Sequence, residues 1–126
     1  MILLDTDVLI DLSRKHLAAT QWAAAQVDSM AIPGFVAMEL IQGAVDGLDM
    51  AQTRKFLSRF NVVWLSPSDC DAAMQTFADK RLSSGLGLLD ALIGHTALAL
   101  GVPLYTFNTK HFAAIAGLRT IQPYTR

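Results

Sequence analysis

The sequence has little charge, a single cysteine and no extended run of one sign. Only 17% of its 126 residues are charged, and 10 Lys and Arg against 11 Asp and Glu leave a formal net charge of −1. That balance gives no global attraction to nucleic acid, so any such contact must come from a local basic group. Cys70 cannot close an intramolecular disulfide, which excludes a disulfide-stapled scaffold and fits a reducing cytoplasm. It also has no His or acid at motif spacing, which removes it as a convincing nucleophile. No basic residue precedes the three apolar residues between Met1 and Asp5, so no secretory leader is expected. The stretch from Ala91 to Thr109 lacks charge and approaches the roughly 20 apolar residues that a membrane span needs. His95, Thr96 and the Gly101-Val102-Pro103 break interrupt it, and a helix, a turn and a buried strand explain it better. No internal repeat or second unit is visible, so the expectation is one soluble domain over residues 1–126.

What the chain has in quantity is apolar surface: 52% of the residues are hydrophobic. This is rich for a small soluble monomer and predicts a patch covered by a partner chain or by a second copy.

Short apolar runs alternate with helical periodicity. Ile2–Leu4 reads as a buried parallel strand, Met30–Ile32, Val62–Leu65 and Leu104–Thr106 as further strands, and Arg119–Ile121 as an edge strand. A first helix starts at a cap on Thr6 or Asp7, and helical spacing continues through Leu17 to Val27. Further helices are predicted over 35–45, stopping at Gly47, and over 51–59. Others follow over 69–82, 88–100 and 110–116, with Ser83–Gly87 as a flexible linker. Strands alternating with helices predict an α/β fold, a three-layer α/β/α sandwich around a central parallel sheet.

Three acids sit in apolar settings where an unpaired charge is costly. Asp5 follows the Ile2–Leu4 strand, and ligands of open α/β sheets bind just beyond the carboxyl ends of strands. Glu39 lies in Phe35-Val36-Ala37-Met38-Glu39-Leu40-Ile41, on a helix face shared with Phe35, Val36, Gln42 and Gly43, which turns it inward. Asp90 opens the helix Leu88-Leu89-Asp90-Ala91-Leu92-Ile93-Gly94, where the helix dipole alone would also account for it. Asp5 is harder to explain as a cap, because Thr6 and Asp7 would cap as well. Three such acids, far apart in sequence, suggest one shared site for a hard divalent cation such as Mg2+ or Mn2+.

These segments carry a resemblance. Asp5-Thr6-Asp7-Val8-Leu9-Ile10-Asp11, Glu39-Leu40, Asp90-Ala91-Leu92-Ile93-Gly94 and Leu104-Tyr105-Thr106-Phe107-Asn108-Thr109-Lys110-His111-Phe112 resemble the successive motifs of PIN domains. They are most similar to those of VapC toxins of VapBC toxin–antitoxin pairs. Each motif alone is weak; four in order at these separations are fairly specific. The resemblance implies a PIN-like fold, a Mg2+- or Mn2+-dependent endoribonuclease and a VapB-like antitoxin partner. It maps the family's acidic metal ligands onto Asp5, Glu39 and Asp90. The family commonly carries a fourth acid after the fourth strand, where this chain has Asn108 and then Lys110-His111. Asn108 would complete the pocket through its amide oxygen, and the missing charge favours one ion over two. Thr6 and Thr106 are candidates to orient the carboxylates.

The remaining polar features are less specific. Arg14-Lys15-His16 and Lys110-His111 are placed to track an RNA backbone, although a solvated helix end explains the first group as well. Arg54, Lys55 and Arg59, and likewise Lys80-Arg81, read as exposed faces. His95 has no second ligand at helical spacing, and Trp22, Trp64 and Tyr105 read as core or interface residues. Two other function classes stay open. A phospho-acceptor receiver domain would use Asp5, Thr106 and Lys110, but it leaves Glu39 and Asp90 idle and lacks an acid directly after the third strand. A non-catalytic PIN-like binding module would carry a site decayed at Asn108.

Overall fold

The structure, a computed structural model, describes residues 1–126. Its strands are β1 (Ile2–Leu4), β2 (Met30–Pro33), β3 (Asn61–Val63), β4 (Leu104–Tyr105) and β5 (Thr120–Ile121). They form one sheet in the order β3-β2-β1-β4-β5, and every neighbouring pair is parallel. The helices flanking it are α1 (Thr6–Ser13), α2 (Leu17–Ala25), α3 (Gly34–Gln42) and α4 (Gly47–Leu57), followed by α5 (Pro67–Ser84), α6 (Leu88–Leu100) and α7 (Thr109–Phe112). The parallel, helix-flanked sheet is the architecture expected from the alternating pattern.

A parallel sheet covered by helices needs strands apolar on both sides. Accordingly Leu3, Leu4, Ala31, Ile32 and Leu104 are all fully buried, with Val8, Leu9, Val36, Ile93 and Ala97 packed against them from the helices. No helix is long and apolar enough to cross a membrane.

Strand order determines where a site can form. The chain builds β1, β2 and β3 outward in one direction, then returns to place β4 and β5 on the other side of β1. The reversal lies between β1 and β4, and the crevice beyond the carboxyl ends of two such strands is where ligands bind in open α/β sheets. Leu4 pairs with Tyr105 across that junction, so Asp5 and Thr106 are the next residues of both strands.

Several local expectations are corrected. Asp5, not Thr6 or Asp7, occupies the cap position of α1: its backbone is extended and its Oδ1 accepts the Thr6 amide at 2.7 Å. The helical run after it breaks at Arg14–His16, where Lys15 takes a left-handed conformation (φ 57°), and α2 restarts at Leu17. Gly47 starts α4 rather than stopping α3, because Asp46 Oδ1 accepts the Asp49 amide at 2.8 Å and caps the new helix. The predicted linker is shorter than expected: α5 runs through Ser83 and Ser84 and ends on Gly85 with φ 72°.

Candidate functional site

At the β1–β4 junction the Asp5 carboxylate is 4% exposed and hydrogen-bonded on both oxygens. Thr6 N donates to Oδ1, and the buried Thr106 hydroxyl donates to Oδ2 at 2.7 Å. The Asp5 amide donates to Tyr105 O at 3.0 Å, continuing the parallel ladder one step past the strand end. Cap and ladder together hold this carboxylate at the crevice floor.

Two further carboxylates lie near the same floor, one of them bonded to it. The Thr6 hydroxyl donates to Glu39 Oε1 at 2.8 Å, linking the first turn of α1 to the inward face of α3. Asp90, in the first turn of α6, is close enough to Asp5 to raise its pKa electrostatically, and its Oδ2 lies 3.9 Å from Nδ1 of the exposed His111. Asn108 stands at the start of α7 with an exposed side chain, and its amide donates to the Thr106 hydroxyl at 3.0 Å.

Asp7 is the residue that sequence reasoning missed. It reads as a helix cap, yet its Oδ2 accepts the Phe107 amide at 2.9 Å and a longer contact from the Thr106 hydroxyl at 3.4 Å. It thereby fixes the loop after β4 to the start of α1. The only sequence signal was a second acid two residues after Asp5, which local capping explained equally well.

The electrostatics follow from this crowding. Burial, and then the Asp7 charge, push the Asp5 carboxyl from 3.8 up to about 7, against the opposing hydrogen bonds from Thr106 and Thr6; Asp90 adds a smaller push. Burial also raises Asp90, with His111 and a hydrogen bond from Gly87 N–H pulling the other way. Neither Lys nor Arg forms an ion pair with Asp5, Asp7, Glu39 or Asp90; the single Arg–carboxylate pair, Arg126 with Asp11 at 3.0 Å, lies elsewhere. This end of the sheet therefore holds four carboxylates without a strong cationic partner, and all their donor atoms are oxygens. The side chains are not drawn in to ligand distance, since no three His, Cys, Asp or Glu groups surround a common point. The chemistry of the donor set suits a hard divalent cation, and the uncompensated charge supplies the reason to bind one.

The other singled-out residues have structural roles. His95 Nε2 shares a hydrogen bond with the Thr76 hydroxyl at 2.8 Å between α5 and α6. Trp22 packs beside Tyr105 and Tyr124, and Trp64 against Phe35 and Gly34. A cavity of about 590 Å³ lies not at the acids but beside α2 and α4, lined by Leu12, Met30, Phe56 and Phe60 among others. A second cleft of about 380 Å³ begins at Glu39 and runs between α1, α3 and α4.

Comparison with known proteins agrees with this geometry. The PIN domain family model matches residues 2–118. No curated protein sequence matches the chain. Among solved structures, a chain of a toxin–antitoxin complex from Klebsiella pneumoniae is 33% identical over 100% of both chains, with a TM-score of 0.76. Chains of VapBC2 from Rickettsia felis, bound to a DNA fragment from their promoter, and of DNA-bound VapBC from Salmonella typhimurium are each 25% identical. Both matches cover 96% of this chain and 98% of theirs, with TM-scores of 0.76 and 0.79. An acid at the topological switch, acids on α3 and α6 beside it, and a match across nearly the whole length lead to one conclusion: the chain belongs to the PIN-domain family.

Proposed function

We propose that this protein is a Mg2+- or Mn2+-dependent endoribonuclease and the toxin of a type II toxin–antitoxin pair. The observation that carries the reading is the set of carboxylates after β1 and on α3 and α6, near the carboxyl ends of the central strands and without Lys or Arg neutralisation. Asp5, Glu39 and Asp90 would hold the ion, and Asn108 would complete the pocket with a neutral oxygen. One ion suits this set better than two, because Asn108 and His111 stand where further acids would be needed.

When bound, the cation supplies an activated water and offsets charge developing on the phosphoryl oxygens. The protein's own groups do the positioning. Thr106 and the Thr6 amide orient the two Asp5 oxygens, and the Thr6 hydroxyl orients Glu39. Asp7 holds the Phe107 amide, and with it the approach of Asn108 and His111. No side-chain base is required if the ion itself acidifies the water. His111, 65% exposed at the rim, is placed to meet the RNA backbone with Lys110.

The partners proposed are an RNA substrate, a VapB-like antitoxin and a second copy of this chain, in the cytoplasm. Exposed apolar side chains such as Met38, Leu48 and Leu88 favour such a cover. The test is RNA cleavage in Mg2+ or Mn2+ by the protein and by its Asp5→Asn and Asp90→Asn variants, each checked for folding by thermal unfolding. Both variants are expected to lose cleavage while remaining folded. Full activity in both would refute the site.

A further inference from the structure

We infer that Tyr124 and Arg126, which follow β5, are positioning residues for the ion site. They strap the loop after β4 to α1 and so hold in place Thr106 and Asn108, the two residues that complete the surroundings of Asp5. Resting on the ion site proposed above, this role also accounts for Asp11, the acid of the first motif that the site leaves unused.

Asp11 is locally unfavourable. It lies in the second half of α1, where the helix dipole disfavours a carboxylate, and one turn from Asp7, a like charge on the same face. Both acids are answered from outside the helix. Asp7 Oδ2 accepts the Phe107 amide at 2.9 Å, while Asp11 Oδ2 accepts the Tyr124 hydroxyl at 2.8 Å and Arg126 Nε at 3.0 Å. Burial works against the Asp11 charge, yet those two hydrogen bonds and the Arg126 charge outweigh it and hold the carboxyl below its ordinary value.

Both anchors lead to Phe107, which is gripped at backbone and ring. Asp7 holds its amide, the Arg126 guanidinium carbon lies 4.1 Å from its ring centre, and the Tyr124 ring meets it edge-on at 4.9 Å. Its chain neighbours are the residues that matter to the ion. The Thr106 hydroxyl donates to Asp5 Oδ2 at 2.7 Å, and the Asn108 amide donates to that hydroxyl at 3.0 Å. The strap is itself fixed at its root. Ile121 O accepts the Thr106 amide at 3.0 Å, Gln122 Nε2 donates to Tyr124 O at 3.0 Å, and Pro123 between them restricts the backbone.

An ion pair at the surface adds little to stability by itself, and the Arg126 side chain is half-exposed. Its effect therefore belongs to the geometry of the loop more than to the fold. Charge and position make opposite forecasts for its removal. Arg126 is a cation one loop away from a group of carboxylates, so by charge alone its loss tightens the binding of a divalent ion. As a positioning residue, its loss frees Phe107 and weakens that binding.

The experiment is calorimetric Mn2+ titration of the unaltered protein, Arg126→Gln, Arg126→Lys and Tyr124→Phe, each below the melting temperature that thermal unfolding gives for it. Arg126→Gln is expected to weaken Mn2+ binding about tenfold, the low end of what contacts behind a metal ligand contribute. Tyr124→Phe changes no charge and should weaken it in the same direction. Arg126→Lys keeps a cation opposite Asp11 and should recover part of the loss. RNA cleavage by Arg126→Gln should return toward that of the unaltered protein as Mn2+ is raised, whereas Asp5→Asn should stay inactive. Unchanged or tighter Mn2+ binding by Arg126→Gln, even with a lower melting temperature, overturns the positioning role and leaves the ion site standing. Should Arg126→Gln not fold, Tyr124→Phe decides by the same criterion. An unaltered protein that binds no Mn2+ removes the ion site and the positioning role together. One that binds Mn2+ but cuts no RNA removes only the ribonuclease reading, and the affinities still judge the strap.

Discussion

Asp5→Asn tests the electrostatic account of the site without requiring any substrate. The Asp5 carboxyl is raised from 3.8 to about 7, first by burial and then by the charge of Asp7. The folded protein therefore holds a proton that the unfolded chain releases between those two values. Stability falls as pH rises through that window, and is flat above it, because the folded state binds more protons than the unfolded one. The full interval corresponds to about 4 kcal/mol, and the part of it between pH 5 and pH 7 to about 3 kcal/mol. Asparagine cannot ionise, so it escapes this loss.

The measurement is urea unfolding of both proteins in chelator at pH 5 and pH 8. Whatever asparagine loses in its hydrogen bonds with Thr106 and Thr6 is present at both values and cancels in the difference. The variant should gain about 3 kcal/mol on the parent between pH 5 and pH 8, less whatever Asp7 and Asp90 recover by sharing the proton. A Mn2+ titration at pH 8 should then stabilise the parent far more than the variant, since a ligand of the native state alone adds to its stability. A stability difference that is the same at both pH values would refute the argument, because it would mean that Asp5 is ionised throughout.

Two further outcomes follow from the geometry. Asn108→Asp adds a negative oxygen beside a group of carboxylates, so it should bind Mn2+ or Mg2+ more tightly in calorimetric titration while lowering the melting temperature in chelator; a change in neither would place Asn108 outside the site. Gly94→Ala drives a Cβ into Ile115 Cδ1 and to 3.2 Å from Leu118 Cδ2, so overpacking between α6 and the segment after α7 should cost about 1–3 kcal/mol in denaturant unfolding; a neutral variant would show that Ile115 moves aside freely.

The parts of this fold legible from sequence are those whose cause is local. The apolar runs at Ile2–Leu4 and Met30–Ile32 read as strands because nothing else accommodates them, and both are strands at the sheet centre. Helix α6 was bounded correctly at Leu88 and Leu100 because Gly101 signals its own left-handed conformation, φ 67°. Gly47 misled for the same local reason, since a glycine between two helical stretches reads as a stop. The Asp46 side chain and the Asp49 amide turn it into a start. The break at Lys15 was invisible because a lysine carries no propensity for the left-handed conformation it takes.

The candidate site divides along the same line. That Asp5 ends a strand and Glu39 faces inward follows from period and run length, and both are visible in a few neighbouring residues. Asp7 differs because its partner, the Phe107 amide, is 100 residues away and exists only once β4 lies beside β1. The same holds for Thr106, buried and bonded to Asp5 across 101 residues. Strand register creates both contacts: Leu4 opposite Tyr105 obliges the next residues of each strand to meet, and a carboxylate and a hydroxyl occupy those positions. Asp5 thus caps α1, extends the β1–β4 ladder and supplies the buried charge, and these roles act in opposite directions on stability. The cap and ladder contacts fix the carboxylate in place, while burial and Asp7 make its ionised form costly. In the proposed site, a position that is structurally anchored yet electrostatically unfavourable without a cation is what would distinguish a ligand from a helix cap, and a residue that already serves as a cap is one whose further role capping rules alone pass over.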